Sequence, residues 1–208
     1  MHVFERYAAP SAAAEIDLVR RHPFALVVSA DDGAAPVATH LPVIVPSGSA
    51  PTGLVGATLF GHLARVNPHW ESFRDGREVL LVFAGPHGYV SPTVYGYDPA
   101  VPTWNYAAVH LTGTVELTDD ASDTLHIVSE TVRALEVLRR PEWDMTASLD
   151  TFAGLVEHVV AFRIRVTSAS SNFKLSQDMP ADVRDRVRRD FRATGNPALA
   201  DLMEQVAP

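Results

Sequence analysis

Four clusters in the chain hold side chains that can do chemistry. In Ala38-Thr39-His40-Leu41-Pro42 a hydroxyl and an imidazole lie on one extended stretch. Alternation puts Thr39 and Leu41 on one face and His40 on the other, so Thr39 and His40 serve one site only if a bulge intervenes. Gly61-His62-Leu63-Ala64-Arg65-Val66-Asn67-Pro68 puts an imidazole at a strand end, beside a guanidinium and ahead of a helix start whose free amides favour an anion. His62 is therefore a candidate ligand to a metal or cofactor, Arg65 and the Asn67 helix start are candidate holders of a phosphate or propionate, and Gly61 allows close approach. Val101-Pro102-Thr103-Trp104-Asn105-Tyr106-Ala107-Ala108-Val109-His110 flanks the amide of Asn105 with two aromatics after a Pro-rich loop, the makeup of a wall for a flat conjugated ligand. In Phe173-Lys174-Leu175-Ser176-Gln177, alternation turns Lys174 and Ser176 to one side, and a desolvated lysine can serve as a base. Each cluster has an ordinary alternative: a satisfied histidine, barrel-core aromatics, a solvated loop lysine. His62 and His69 stand seven apart across a proline, which is not chelate spacing, and no catalytic triad, phosphate loop or zinc spacing occurs.

The elements that must position these groups follow from pattern and punctuation. Ser11 caps a predicted helix through about Arg21, and His22-Pro23 ends it. Phe24 to Ser29, a turn at Asp31-Asp32-Gly33 and Pro36 to Val45 form a hairpin. Further strands are expected over Leu54 to Gly61, Glu78 to Ala84, a short piece Tyr89 to Ser91, and Trp104 to Leu117 with a bend at Gly113. Between them Asn67-Pro68 opens a short helix through Phe73, Gly85-Pro86 breaks a strand, and Tyr95 to Pro102 is irregular. Asp119 or Asp120 caps the longest helix, through about Leu138, with apolar residues at three-four spacing. Ser148 starts another helix, Val159 to Val166 is the last strand, and two helices split by Gly195-Asn196-Pro197 finish the chain. Many antiparallel strands, one helical insertion and a helical tail make an α+β fold around a small barrel. Residues 1–178 form the barrel domain with its insertion near 119–156, and 179–208 a helical tail packed on it.

Composition removes whole classes of function. The 208 residues carry 17 Lys and Arg against 25 Asp and Glu, a net charge of −8. The one basic cluster, Arg184, Arg186, Arg188 and Arg189, is interleaved with Asp182, Asp185 and Asp190, which reads as a solvated helix face and makes nucleic acid an improbable partner. With no cysteine there is no disulfide, thiolate ligand or cysteine nucleophile, and a metal must be held by His, carboxylate or Tyr. No stretch approaches the ~18 apolar residues of a membrane span, and the N-terminus lacks an apolar signal core. A cytoplasmic protein without a membrane partner is expected.

Taken together and in this order, the four clusters and Gly85-Pro86-His87 with Tyr89 and Ser91-Pro92 resemble the PaiB family. The resemblance covers most of the chain. It implies an FMN-binding split β-barrel, generally a homodimer with cofactor sites between the subunits, in a family described as negative transcriptional regulators. Ser91-Pro92-Thr93-Val94-Tyr95, Trp143-Asp144-Met145 and Ser148-Leu149-Asp150 are further similar to the piperazate synthases, a heme-dependent branch. That branch implies closure of an N-hydroxylated L-ornithine, a small amino-acid substrate, into a hydrazine-containing ring with loss of water. Heme b is then the cofactor, with FMN the alternative, and the resemblance points to His62 as the axial iron ligand. Lys174, or Thr39 through a water, becomes the candidate acceptor of the α-amine proton. Arg65, Asn67, Trp104, Asn105, Tyr106, Ser176 and Gln177 are the expected cofactor contacts, and Asp144 or Asp150 the partner of the substrate ammonium. A PaiB-type regulator and a flavin-dependent oxidoreductase are the other readings of the same pocket.

Overall fold

Local signals place the chain's elements in a computed structural model that describes residues 1–30 and 35–206. Ser11 Oγ accepts the Ala14 amide and opens α1 (Ala12–Arg21). Then come β1 (Phe24–Ser29), β2 (Val37–Ile44), β3 (Thr58–Ala64), a 3-10 helix over Pro68–Gly76, β4 (Glu78–Val90) and β5 (Thr103–Thr118). Asp120 caps α2 (Ala121–Glu136), which leads to α3 (Leu149–Leu155), β6 (Val159–Lys174), α4 (Ala181–Ala193) and α5 (Pro197–Gln205). The turn expected at residues 31–33 lies outside the described residues.

The six strands pair antiparallel into a closed barrel in the order β1-β2-β3-β6-β5-β4. This is the α+β barrel that the pattern predicts. Alternation sends Val27, Leu41, Val43, Leu59, Leu81, Phe83, Val109, Leu111, Phe162 and Ile164 into one buried cluster. The 3-10 helix crosses one mouth, setting Phe73 against Phe162 at 5.4 Å, while α1 lies toward the other, where Leu18 meets Gly85 and Ser171 donates to Glu15 at 2.5 Å.

Three strands differ from expectation for physical reasons. β3 begins at Thr58, not Leu54, because residues 54–57 close a turn through the Ala57 amide and the Leu54 carbonyl. Gly85-Pro86 does not break β4: the register shifts between Ala84 and His87, and proline's missing donor is tolerated at that bulge. β6 runs on through the Ser- and Thr-rich stretch to Lys174, paired with β5 throughout, so Phe173-Lys174 lies in the strand and not past it. The expected bend at Gly113 is a register shift between Thr112 and Gly113. In α4 and α5, Arg186 pairs with Asp182, Arg188 with Asp185 and Glu204, and Arg192 with Asp201 and Glu204, which spends these guanidinium groups on carboxylates.

Candidate functional site

Alternation along β3 turns Leu59, Gly61 and Leu63 into the barrel and Phe60 and His62 outward. A Cβ on Gly61 would lie 2.5 Å from ring carbons of Phe162, so this glycine makes room for the core and not, as expected, for a ligand. His62 is half-buried, and its Nδ1 is buried with no hydrogen-bond partner. Burial pushes its pKa down, leaving the neutral imidazole that metals bind. Continuing the Val43–Gly61 register sets Pro42 beside His62, and Phe24 pairs with Pro42 on β1. The Phe24 ring, 65% exposed, stacks on His40 at 5.4 Å with planes 25° apart. A proline, an open phenyl ring and two imidazoles thus share one outer face, a surface on which a planar conjugated ligand can lie.

Arg65, expected to hold an anionic group, is engaged elsewhere. Its Nε donates to the Glu157 carbonyl at 2.8 Å and its Nη2 to the Val159 carbonyl at 3.0 Å, with Trp70 under the guanidinium at 5.9 Å. It pins the start of β6 to the end of β3.

At the barrel mouth a chain of hydroxyls fixes a proton direction. Ser72 Oγ donates to the His69 carbonyl at 2.8 Å, so its single proton is spent and it accepts from Ser29 at 2.6 Å. Ser29, its own proton spent, accepts from His69 Nε2–H at 2.9 Å. Nδ1 of His69 is left with a lone pair, and Thr39 donates to it at 2.8 Å. His69 is 3% exposed and burial lowers its pKa, which keeps the ring neutral. Thr39 therefore offers only lone pairs at the barrel mouth, and Asn67 Nδ2 stands 3.5 Å from them. Asn67 also accepts the His69 amide at 3.1 Å, so its carbonyl oxygen is a cap. Nitrogen-15 NMR should show His69 protonated at Nε2 and bare at Nδ1; protonation at Nδ1 would reverse the assigned chain. His69→Gln should also flatten the pH dependence of stability. The histidine's pKa is lower folded than unfolded, so its contribution is complete above the ordinary value near 6.5 and fades as pH falls below it. Sequence reasoning passed over His69; the available signal was its position just after the Asn67-Pro68 helix start, which folds its ring back over the mouth.

The remaining candidates gather at the far end of β5 and β6. Trp104 and Tyr106 point outward while Asn105, fully buried, points inward, so the two aromatics do not flank the amide in space. Asn105 Nδ2 donates to Ser176 Oγ at 2.9 Å, and Ser176 adopts a left-handed backbone with φ of 61°. Lys174 Nζ donates to Thr103 Oγ1 and sits over the Tyr7 ring at 5.7 Å. Gln177 closes the turn after β6: Oε1 accepts the Leu175 amide at 2.6 Å and Nε2 donates to the Phe173 carbonyl at 2.5 Å, which leaves its amide no reach to a cofactor. Asp144 accepts from the Thr146 amide and hydroxyl at 2.9 and 2.6 Å, so its carboxylate is engaged in its own turn, and Asp150 is exposed in the first turn of α3.

The structure thus brings the expected residues together in two groups. His62 on β3 and Tyr106 on β5 are two strand steps apart through β6, but they pair with Ala161 and Lys174 near opposite ends of that long strand, so they sit toward different ends of the barrel. A cavity of about 520 Å³ between α2 and residues 142–145 has Arg133, Glu136 and Trp143 in its walls, and one of about 200 Å³ lies beside Lys174. His62 lines neither.

A family model described as "Putative FMN-binding domain" matches residues 1–168. The "Protease synthase and sporulation protein PAI 2" of Bacillus subtilis (strain 168) is 32% identical over 208 residues, covering 96% of this chain and 95% of that protein. An uncharacterised Aspergillus fumigatus protein is 28% identical over 201 residues, covering 76% of each. Among solved structures, a conserved hypothetical protein from Mycobacterium tuberculosis superposes with TM-score 0.61 at 12% identity, covering 86% of this chain and 94% of that one. The "FAD and Heme binding protein" from Mycobacterium smegmatis superposes with TM-score 0.54 at 19% identity, covering 81% and 73%. These superpositions carry the fold, and the sequence matches carry the lineage: the chain belongs to the PaiB-like family described as the Putative FMN-binding domain.

Proposed function

We propose that this protein is a heme-dependent piperazate synthase, a cytoplasmic homodimer that closes N-hydroxylated L-ornithine into a six-membered ring by forming an N–N bond and releasing water. The observation that carries the reading is His62: a neutral imidazole with an orphaned buried nitrogen, on an outer face shared with Phe24, His40 and Pro42. In a chain without cysteine an imidazole is the natural donor to iron, and this neutral, unpartnered one would suit heme. Bound ferric heme supplies a Lewis acid able to weaken the N–O bond of a hydroxylamine.

The chain's own residues hold and orient the rest. His62 would hold the iron, and Phe24 and Pro42 would offer the flat contact. The α-amine must be neutral to attack nitrogen, so a group has to take its proton. Lys174 is one candidate acceptor, and the other is a water held by the lone pairs of Thr39, whose own proton is directed into His69 Nδ1. These groups stand apart in one chain, and a second copy packed on the uncovered outer face would bring one protomer's His62 toward the other's Trp104, Tyr106 and Lys174.

The family description favours a second reading, an FMN-binding protein. A structural neighbour from Mycobacterium smegmatis is named for FAD and heme together, which supports a flavin or a heme as the group to test. Visible absorption separates them: a Soret band supports heme, and twin flavin bands support FMN. Heme-loaded protein incubated with N5-hydroxy-L-ornithine should release a product lighter by one water; no turnover in a heme-loaded sample removes the synthase reading.

A further inference from the structure

The cavity at the β5–β6 end carries a combination of groups that the barrel does not need. Lys174 and Asp178 both line it, yet they make no ion pair with each other. Lys174 spends one donor on Thr103 and has no carboxylate partner among the described residues. Asp178, exposed, accepts the Tyr7 hydroxyl on Oδ2 at 2.7 Å, which leaves Oδ1 for another donor. Between them Tyr95, 1% exposed, has a buried hydroxyl with no hydrogen-bond partner. Its position is fixed by backbone clamps, since Arg186 Nε donates to the Val94 carbonyl at 3.2 Å and Nη2 to the Tyr95 carbonyl, and its ring stacks on Tyr97 at 5.7 Å. Burial raises the Tyr95 pKa, so the hydroxyl keeps its proton and can donate.

A buried hydroxyl left unpaired costs on the order of 1–3 kcal/mol. A fixed cation, a fixed anion and a free donor around one small space are complementary to a zwitterion. We propose that this cavity binds the α-amino-carboxylate head group of a small amino acid, with Asp178 taking the ammonium and Lys174 and the Tyr95 hydroxyl taking the carboxylate. About 200 Å³ is the volume of roughly six or seven waters at ~30 Å³ each, enough for such a head group and its first methylenes. The inference deepens the proposed function, on whose amino-acid substrate it rests; it moves the ammonium partner from Asp144 or Asp150 to Asp178 and turns Lys174 from proton acceptor into carboxylate partner, which leaves the α-amine proton to a water held by Thr39.

Calorimetric titration of the full chain tests it, with L-ornithine against putrescine, which lacks the carboxylate, and 5-aminopentanoate, which lacks the α-amine. L-Ornithine should bind saturably and the other two at least about tenfold more weakly. Tyr95→Phe should weaken L-ornithine about tenfold while leaving putrescine unchanged. The same variant should raise the Tm of the ligand-free protein by about 2–4 °C, because it removes an unsatisfied group and no bond. Asp178→Asn should abolish the preference for L-ornithine over 5-aminopentanoate. Equal binding of all three compounds, no binding, or a Tyr95→Phe variant with wild-type affinity would overturn the proposal. Repeating the titration with and without heme separates the two readings: ornithine binding without a Soret band sinks only the heme, and a Soret band without ornithine binding sinks only this site.

Discussion

Heme-reconstituted protein carrying His62→Ala should lack the Soret band of the wild-type form, with a heme affinity lower by at least about a hundredfold. The magnitude follows from coordination: losing even an outer partner of a metal ligand costs 10–100-fold, and here the ligand itself is removed. The fold should be nearly indifferent to the change. The ring's buried Nδ1 makes no hydrogen bond that alanine would forfeit, and removing an orphaned polar atom offsets part of the lost packing. The ligand-free variant should therefore melt within a few degrees of wild type. Added imidazole should restore the band, which a merely structural role for His62 would not allow. An unchanged band would pass the assignment to His40, stacked on Phe24 in the same patch, or to His110, half-buried on the outer face of β5.

What the sequence made legible and what it hid divide along sequence distance. The β1–β2 hairpin, the Ser11, Asn67 and Asp120 caps and the Asn196-Pro197 helix start are local signals, and all are present. The far half of β6 was hidden because Thr167-Ser168-Ala169-Ser170-Ser171-Asn172 has loop composition, and only its pairing with β5 makes it strand. The same limit governs the site. His62 is placed on the outer face by local alternation, but the carbonyls of Glu157 and Val159 that engage Arg65 are some ninety residues away in the chain. Tyr95 and Asp178 gave no local sign of sharing a cavity, since β5 and β6 separate them. Alternation, the strongest local rule, does separate Trp104 and Tyr106 from Asn105; reading them as one wall overrode it.

Val82→Glu should turn a homodimer into a monomer with an unchanged far-UV circular dichroism spectrum, measured by light scattering after size exclusion. The prediction rests on an outer face with no cover of its own. Leu26, Val82 and His110 run across β1, β4 and β5 in one register row, and Val28, Leu80 and Thr112 in the next. Phe24, Leu26, Val28, Leu80, Val82 and Ala84 line the outer side of β1 and β4 without a charge among them, from half-buried to exposed. Helix α2 covers β2, β3 and β6, and none of the helices packs substantially on β1. A contiguous apolar sheet face of this kind marks an interaction surface. Two copies related by a two-fold axis would bury the row against itself. Glutamate at 82 would then place an unpaired carboxylate in the dry centre of the contact, at a cost of several kcal/mol, or about a hundredfold or more in the dimer Kd. In the separate chain the same side chain meets water, and its strand neighbours Leu81 and Phe83 still point into the core. Heme retention should fall with the dimer, because each site loses the wall its partner supplies. A wild-type chain that is monomeric at micromolar concentration, or a Val82→Glu chain that still dimerises, would remove both the interface and the shared site built on it.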